Sequence, residues 1–295
     1  MSDFRLKVFQ SVAKNLSFTK ASQELFVSQP AITKHIQELE ATYQTRLFDR
    51  QGSKISLTES GRLLLEHCER ILEDYKRLEY EMHLLHNEYI GELKLGASTT
   101  IAQYVLPPLL GSFIGKFPQV NLSLLNGNSR EIEAALQEHR IDLGLVEGVF
   151  RLPNLKYTTF LEDELVAVVH SKSRLQLPEE ITPQDLPAIP LVLRERGSGT
   201  LDVIERSLQK HGVKLSSLHV LMYLGSTESI KLFLENSDCR GIVSIRSICK
   251  ELAAGTFRVV EIKDMPMLRD FCFVQLQGQE GGLSQAFMNY MFMSR

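Results

Sequence analysis

The sequence has few cysteines and lacks any long apolar run. Its four cysteines include no C-x-x-C pair, so neither a zinc knot nor a disulfide framework is encoded. No stretch approaches the roughly 18 apolar residues that a transmembrane helix needs. Charged residues also interrupt the N-terminal segment before a secretory signal can form. We therefore predict a soluble, cytoplasmic protein with no membrane partner and no metal site.

Catalytic motifs are also missing. No G-x-S-x-G nucleophile elbow occurs, and the acidic residues show no pairing that singles out a general acid and a general base. The stretch from Gly111 to Phe117 is similar to a phosphate-binding loop. It has one residue too few between its glycines, and Phe117 stands where a hydroxyl should bind Mg²⁺. The sequence therefore predicts no enzyme, no catalytic residue and no cofactor.

Charge is divided unevenly along the chain. A length of 295 residues suggests about two domains. Residues 1–58 carry eight basic and five acidic side chains, a net charge of +3, whereas the whole chain has a net charge of −3. This asymmetry predicts a nucleic-acid-binding end joined to a body with a different task.

The first 58 residues predict three short helices and a β-wing. Apolar spacing indicates helices from Phe4 and from Phe18, and Ser28 and Pro30 are suited to the start of a third. Two helices joined by a turn of about three residues describe a helix-turn-helix. Outward side chains of the third helix are expected to meet base edges, and wing residues to hold phosphates. The predicted DNA contacts are Ser28, Gln29, Pro30, Thr33, Lys34, Arg50, Ser53 and Lys54.

Residues 59–90 predict one long helix with a dimerisation seam. Its apolar side chains are separated alternately by four and three residues, the a/d pattern of a coiled coil. Packing of this helix against its own domain is the alternative. The predicted seam consists of Leu64, Cys68, Ile71, Tyr75, Leu78, Met82 and Leu85, with Tyr89 at its end.

Residues 91–295 predict an α/β body, because short strands alternate with helices, a pattern typical of mainly parallel sheets. A second lobe is expected to begin near Asp163. Three hydroxyl-rich turns, 98–100, 198–200 and 226–227, each stand between a strand end and a helix start, where free backbone N–H groups attract anions. In the stretch 194–200, glycines allow close approach of a ligand and an arginine can fork onto a carboxylate.

The residues that carry these signals resemble a known family, the LysR-type transcriptional regulators. The resemblance rests on Phe18-Thr19-Lys20-Ala21, Val27-Ser28-Gln29-Pro30-Ala31-Ile32-Thr33, Leu47-Phe48-Asp49-Arg50 and Leu57-Thr58-Glu59-Ser60-Gly61. Ser22, Thr33 and Tyr43-Gln44 depart from the usual pattern. The body is most similar to regulators of sulfur metabolism or carbon fixation.

The resemblance implies an N-terminal winged helix-turn-helix (1–58), a long linker helix (59–90) and a C-terminal two-lobed domain (91–295) of type 2 periplasmic-binding-like fold. Lobe one is expected at 91–162 and 268–295, and lobe two at 163–267. A small anionic effector is expected in the cleft between them. The predicted effector-binding residues are Ser98, Thr99, Thr100, Asn128, Ser129, Glu147, Arg194, Ser198, Gly199, Thr200 and Thr227.

These expectations together describe a transcriptional regulator. Its partners would be double-stranded DNA with an inverted-repeat operator, a second copy in a homodimer or homotetramer, and RNA polymerase. A neutral effector, a solute-binding protein and an effector-independent architectural DNA binder are the alternatives.

Overall fold

The structure, a computed structural model, describes residues 4–51, 54–84, 89–174, 180–278 and 281–293. Residue contacts divide the chain after Glu88 into two units, each with its own core. None of the helices described is both long and apolar enough to cross a membrane.

The first unit contains the three predicted helices, the two-stranded wing and the long helix. Side chains of Ser17 and Ser28 accept hydrogen bonds from the first turns of the second and third helices, as helix caps do. The chain turns between these helices through Phe26, whose φ of 55° is left-handed and whose side chain is 95% exposed. The predicted helix-turn-helix is confirmed. Its elements are α1 (Phe4–Asn15), α2 (Phe18–Glu24), α3 (Gln29–Tyr43), β1 (Phe48–Gln51), β2 (Lys54–Leu57) and α4 (Glu59–Leu84).

The beginning of α4 belongs to the core of this unit. Cys68 and Leu72 are buried with residues of α1, α2 and α3, and the Cys68 thiol donates to the carbonyl oxygen of Leu6 at 3.3 Å. Burial raises the pKa of Cys68 to about 12. Gly61, at the start of α4, packs so closely on the backbone of Leu47 that an added Cβ would be 2.1 Å from its carbonyl oxygen. Cys68 was predicted in the dimer seam, and this prediction is wrong because its side chain is fully covered by its own domain.

The second unit begins with three parallel strands that alternate with helices. The helical segment after the first of these strands is interrupted at Val105, just before Pro107 and Pro108. A long strand, β6, then leads away from this first set. The elements are β3 (Gly91–Ser98), α5 (Thr99–Tyr104), α6 (Leu106–Lys116), β4 (Val120–Gly127), α7 (Ser129–Gln137), β5 (Leu143–Glu147) and β6 (Leu155–His170).

A second set of alternating strands and helices follows, and the chain then returns to the first set. The returning strand, β12, pairs with both β5 and β6, and a final helix packs on the first set. The elements are β7 (Glu180–Ile181), β8 (Leu191–Arg194), α8 (Gly199–Lys210), β9 (Val220–Leu224), α9 (Thr227–Glu235), β10 (Arg240–Ser244), α10 (Cys249–Ala253), β11 (Phe257–Ile262), β12 (Met267–Leu276) and α11 (Gly282–Met293). Short 3₁₀ turns lie at Pro183–Ala188, Leu215–Ser217 and Ile245–Ser247.

The strands of the second unit form one mixed sheet in the order β4-β3-β5-β12-β6-β10-β8-β9, with β11 paired to β6 and β7. The outer pairs, such as β3 with β4 and β8 with β9, are parallel, as expected for βαβ units. The centre is antiparallel, which the expectation of a mainly parallel sheet did not include. The reason is that β6 and β12 run in opposite directions between the two halves.

Separate hydrophobic cores define two lobes within this unit. We call lobe one the part whose core includes Leu93, Phe113 and Phe287, and lobe two the part whose core includes Leu165, Ile204 and Val260. The strands β6 and β12 connect the lobes, because each contributes to both cores. The carboxyl ends of the parallel strands in each lobe therefore face the junction, the place where open α/β folds bind ligands.

Candidate functional site

The start of α3 presents an exposed polar surface. Gln29, Pro30 and Lys34 are exposed, and Thr33 is half-buried with its hydroxyl donating to the carbonyl oxygen of Gln29 at 3.1 Å. The Ser28 hydroxyl accepts from the Ala31 amide at 3.4 Å, so it caps the helix. An α-helix with such polar groups at its N-terminal turn has the shape and chemistry to read the major groove.

The wing carries the remaining predicted DNA contacts. Its strands pair antiparallel, with Asp49 opposite Ser56 and Gln51 opposite Lys54. Arg50 and Lys54 lie on these strands, whereas Ser53 lies outside the described residues. Two basic residues therefore lie near the tip of the hairpin, a position from which a wing can contact DNA phosphates.

The predicted seam of α4 divides into a covered and an exposed half. Leu64 packs partly against the core of the first unit, next to Cys68. Beyond them, Ile71, Leu78 and Met82 are exposed and Tyr75 is half-buried. Leu85 lies outside the described residues, and Tyr89 belongs to the second unit, where its ring centroid lies 4.5 Å from that of Phe117 with the ring planes tilted by 52°. Large apolar side chains at successive a and d positions are seldom exposed to water. Their exposure in the single chain therefore indicates a partner helix that covers them.

The carboxyl ends of three strands of lobe one meet at one edge of the sheet. Ser98 pairs with Gly127, and Ala97 pairs with Leu145, two residues before Glu147. The Ser98 hydroxyl donates to the carboxylate of Glu147, and the Thr100 hydroxyl lies 3.5 Å from the other carboxylate oxygen. The structure thus brings these three sequence-predicted residues together, fully buried.

Lobe two also packs closely against the backbone of Glu147. The Ser129 hydroxyl donates to the carbonyl oxygen of Glu147 at 2.7 Å. Gly199, at the start of α8, packs on the same carbonyl, and an added Cβ there would lie 2.0 Å from that oxygen. The glycine expected to permit close approach of a ligand thus also permits close approach of the two lobes.

Arg194 extends from lobe two toward lobe one. Its guanidinium is 1% exposed and donates to both carboxylate oxygens of Glu195, at 2.8 and 3.1 Å. Its Nη2 also donates to the Thr99 hydroxyl of lobe one at 3.4 Å. Its Nη1 is buried without a hydrogen-bond partner among the described residues. A buried donor of this kind is costly unless a ligand or a water satisfies it.

Arg269 is a central residue that no sequence motif predicted. On β12 its Nε donates to Asp163 at 2.7 Å, and its Nη1 donates to the Thr200 hydroxyl at 2.9 Å. The same Nη1 lies 3.6 Å from the carboxylate of Glu147. The Nη2 of Arg269 is buried without a partner among the described residues. The sequence signal is weak: Arg269 and Asp270 stand together between the apolar pairs Met267-Leu268 and Phe271-Cys272.

The other predicted effector residues have local or peripheral roles. Asn128 is engaged in a reciprocal cap of α7 with Glu131, so its side chain serves the helix. Ser198 accepts from the Thr200 amide at 3.2 Å and caps α8. Thr227 is buried at the start of α9, where Ser226 is the cap.

A second contact joins the lobes through α5 and α9. The Tyr104 hydroxyl donates to the carboxylate of Glu228, which also accepts from Lys231 at 2.8 Å. Lys231 pairs with Glu251 at 2.6 Å. Burial alone would lower the pKa of Lys231, but hydrogen bonds from the ammonium to both carboxylates raise it above its ordinary value. No sequence pattern predicted this group of charges, because Tyr104 is distant in the chain from Glu228, Lys231 and Glu251.

Two family profiles match most of the chain. The bacterial regulatory helix-turn-helix protein family, lysR type, matches residues 4–62, and the LysR substrate binding domain family matches residues 86–292. The chain belongs to the LysR family of transcriptional regulators. This LysR-type regulator therefore combines a DNA-binding domain with an effector-binding domain, and the families describe regulators and not enzymes.

Relatives of this regulator agree with the predicted subgroup. The HTH-type transcriptional regulator CysL of Bacillus subtilis is 29% identical over 91% of this chain and 89% of its own. The RuBisCO operon transcriptional regulator of Acidithiobacillus ferrooxidans is 30% identical over 98% of this chain and 92% of its own. The expected likeness to regulators of sulfur metabolism or carbon fixation is thus confirmed.

A solved structure covers the effector-binding part. The regulatory domain of Synechocystis PCC6803 CcmR, in complex with 2-PG, is 28% identical and aligns with a TM-score of 0.62. It covers 69% of this chain and 97% of its own. The fold of residues from about the start of the second unit onward is therefore that of a ligand-binding regulatory domain.

Replacement of Gly199 by alanine is expected to separate the lobes. The new Cβ would collide with the backbone of Glu147, and overpacking of this kind costs about 1–3 kcal/mol. Thermal or urea unfolding of the second unit measures the loss.

Gly111→Ala is the matched control, because Gly111 is helical and has open space around its Cβ position. This change should stabilise the same unit by about 0.5–1 kcal/mol. Equal effects of the two variants would contradict the close approach at Gly199.

Proposed function

We propose that this regulator binds an inverted-repeat operator as a dimer and that a small anionic effector in the cleft between the two lobes modulates this binding. The observation that carries the effector proposal is that two arginines are buried at the lobe junction, Arg194 beside the Thr99 hydroxyl and Arg269 beside the Thr200 hydroxyl. Each has one Nη nitrogen without a hydrogen-bond partner among the described residues. Forked guanidinium donors suit carboxylate, phosphate and sulfate oxygens.

The chemistry of the neighbourhood supports an anion of small size. Ser98, Thr100 and Thr200 supply hydroxyls within the same buried region, and α8, twelve residues long, begins there with its positive dipole end. The similar CcmR domain was solved with 2-PG. We therefore take carboxylates, phosphorylated small acids and inorganic oxyanions as the effector class. The alternative of a solute-binding protein is not supported, since residues 4–62 match a DNA-binding family.

Thermal-shift measurements on the full chain test the effector proposal. We expect at least one member of a panel of sulfate, phosphate, 2-PG and small carboxylates to raise the melting temperature of the second unit. Arg194→Met should abolish the shift, because it removes a buried cation of the cleft. Arg206→Met, on an exposed position of α8, is the control and should leave the shift unchanged.

The alternative of an effector-independent DNA binder has a distinct outcome. In that case no panel member would bind, while the protein would still prefer its own promoter fragment over competitor DNA.

The DNA-binding proposal places the start of α3 in the major groove and the wing on the backbone. Two copies held by their α4 helices would reach successive major grooves, about 34 Å apart, which requires an interrupted inverted repeat. Such a protein acts where the DNA is, in the cytoplasm. RNA polymerase is the expected further partner of a regulator of this kind.

Gln29 and Lys54 should affect DNA binding in different ways. Gln29→Ala should relax sequence preference and cost about 1–3 kcal/mol on the operator, because an amide can pair with adenine. Lys54→Ala should weaken binding to all sequences and reduce the salt slope by about one, because a lysine on the wing contacts phosphate. Fluorescence anisotropy with operator and random duplexes at several salt concentrations separates the two. Equal losses for Gln29→Ala on both duplexes would show that Gln29 does not read bases.

We propose that the exposed half of α4 is the dimer seam. Ile71, Tyr75, Leu78 and Met82 keep the four and three spacing beyond the covered Cys68, so the seam begins where the contacts with the first unit end.

A charge in this seam should dissociate the dimer. Leu78→Glu is expected to raise the dimer dissociation constant by at least about tenfold, because it buries a carboxylate at an apolar position. Analytical ultracentrifugation across a concentration series measures this. Leu63→Glu changes an equally exposed leucine of the same helix outside the a/d positions, and its dissociation constant should stay that of the wild type. A Leu78→Glu protein that remains dimeric would place the interface elsewhere.

A further inference from the structure

The place best suited to an effector anion already holds a carboxylate. Glu147 is 2% exposed, and its side chain accepts from the Ser98 hydroxyl and approaches the Thr100 hydroxyl at 3.5 Å. Its oxygen Oε1 lies 3.6 Å from Nη1 of Arg269. Two hydroxyl donors and one guanidinium are the set of groups that an incoming oxyanion would use. The side chain of Glu147 therefore resembles a ligand that the protein supplies itself.

The charges of the cleft are already balanced before any ligand enters. Arg269 is shared between Glu147 and Asp163, and Arg246 also lies 3.6 Å from Asp163. Arg194 is paired with Glu195, so three guanidinium groups face three carboxylates. A second anion on the Ser98 and Thr100 hydroxyls would lie beside the buried carboxylate of Glu147. Like charges that share one desolvated site strongly disfavour each other. An anion can therefore occupy this position only if the carboxylate of Glu147 leaves it.

We propose that Glu147 is an internal competitor, a tethered carboxylate that occupies the anion site of the effector-free regulator and that the effector displaces. This inference rests on the proposed function, because it concerns the same cleft and the same class of anion. It makes Glu147 a specificity-determining residue. An anion can replace this carboxylate only if it binds the two hydroxyls and Arg269 more strongly than the tethered carboxylate does. This requirement selects against cellular anions that bind weakly.

The local geometry limits the displacement to the side chain. The carbonyl oxygen of Glu147 is held by the Ser129 hydroxyl at 2.7 Å and covered by Gly199, so the backbone stays in place. Arg269 keeps its bonds to Asp163 and Thr200 when the carboxylate leaves. Its Nη2, unpaired among the described residues, is then available to the ligand together with Nη1. At the junction of the two lobes, the contact of Arg269 with Glu147 would thus be replaced by a contact of Arg269 with the effector.

The test measures the dissociation constant of sulfate for the full chain by isothermal titration calorimetry. Glu147→Gln removes the charge and keeps the shape, and we expect it to bind sulfate at least about tenfold more tightly than the wild type. Glu147→Asp keeps the charge but shortens the side chain by one methylene, which withdraws the carboxylate from both hydroxyls. It should bind sulfate at least about threefold more tightly. Glu138→Gln, at an exposed position of lobe one, is the control and should bind like the wild type.

Each outcome decides the proposal. A gain in Glu147→Gln with wild-type affinity in Glu147→Asp would mean that charge alone matters, and would overturn displacement. Wild-type binding of sulfate without a gain in either Glu147 variant would overturn displacement and leave the effector function standing. If no variant and no panel anion binds, both proposals fall.

A second measurement uses the wild-type chain, so that a failure of the variants to fold does not decide the matter. A crystal structure of the wild type soaked in sulfate should show the anion on Ser98, Thr100 and Arg269, with the carboxylate of Glu147 turned away. A sulfate bound elsewhere in the cleft, with Glu147 still on Ser98, would overturn the proposal.

Discussion

A single buried guanidinium, that of Arg269, connects the parts of the effector-binding unit. It donates to Asp163 on β6 and to Thr200 on α8, and it lies beside Glu147 at the end of β5. Two carboxylates that have lost their water need a cation with fixed geometry, and a planar guanidinium supplies it in several directions at once. The strands that cross between the lobes therefore meet at a point where charge, rather than apolar packing, determines the local arrangement.

This dependence on charge agrees with the proposed response of the cleft to an anion. The two hydrophobic cores lie on either side of it and do not merge, so the lobes are joined there by polar contacts such as Tyr104 with Glu228 and Arg194 with Thr99. Polar contacts can exchange partners without disturbing a core. A ligand shifts the balance of lobe arrangements only if it prefers one of them, and a ligand that replaces an internal partner has such a preference.

The helix α4 illustrates how one periodic pattern can serve two purposes. The a/d spacing continues without a break from Leu64 to Met82, yet Cys68 completes the core of the DNA-binding domain while Leu78 and Met82 remain exposed. Core residues of the DNA-binding domain and the proposed dimer seam thus lie on one continuous helix. In the proposed dimer, the spacing of the two recognition helices would therefore depend on a rigid element and not on a loose linker.

The sequence by itself determined the elements whose causes are local. Serine caps and apolar spacing predicted the three helices of the DNA-binding domain, and strand and helix alternation predicted an α/β body. The family resemblance implied its two lobes and placed Ser98, Thr100, Arg194 and Thr200 near the cleft between them. Only the tertiary structure decided which side of α4 Cys68 faces, and that β6 and β12 make the centre of the sheet antiparallel. It also decided that Arg269 joins Asp163, 106 residues away in the chain. Caps and periodicity depend on residues a few positions apart, whereas burial and ion pairing depend on which distant strands become neighbours, and no short-range pattern records that.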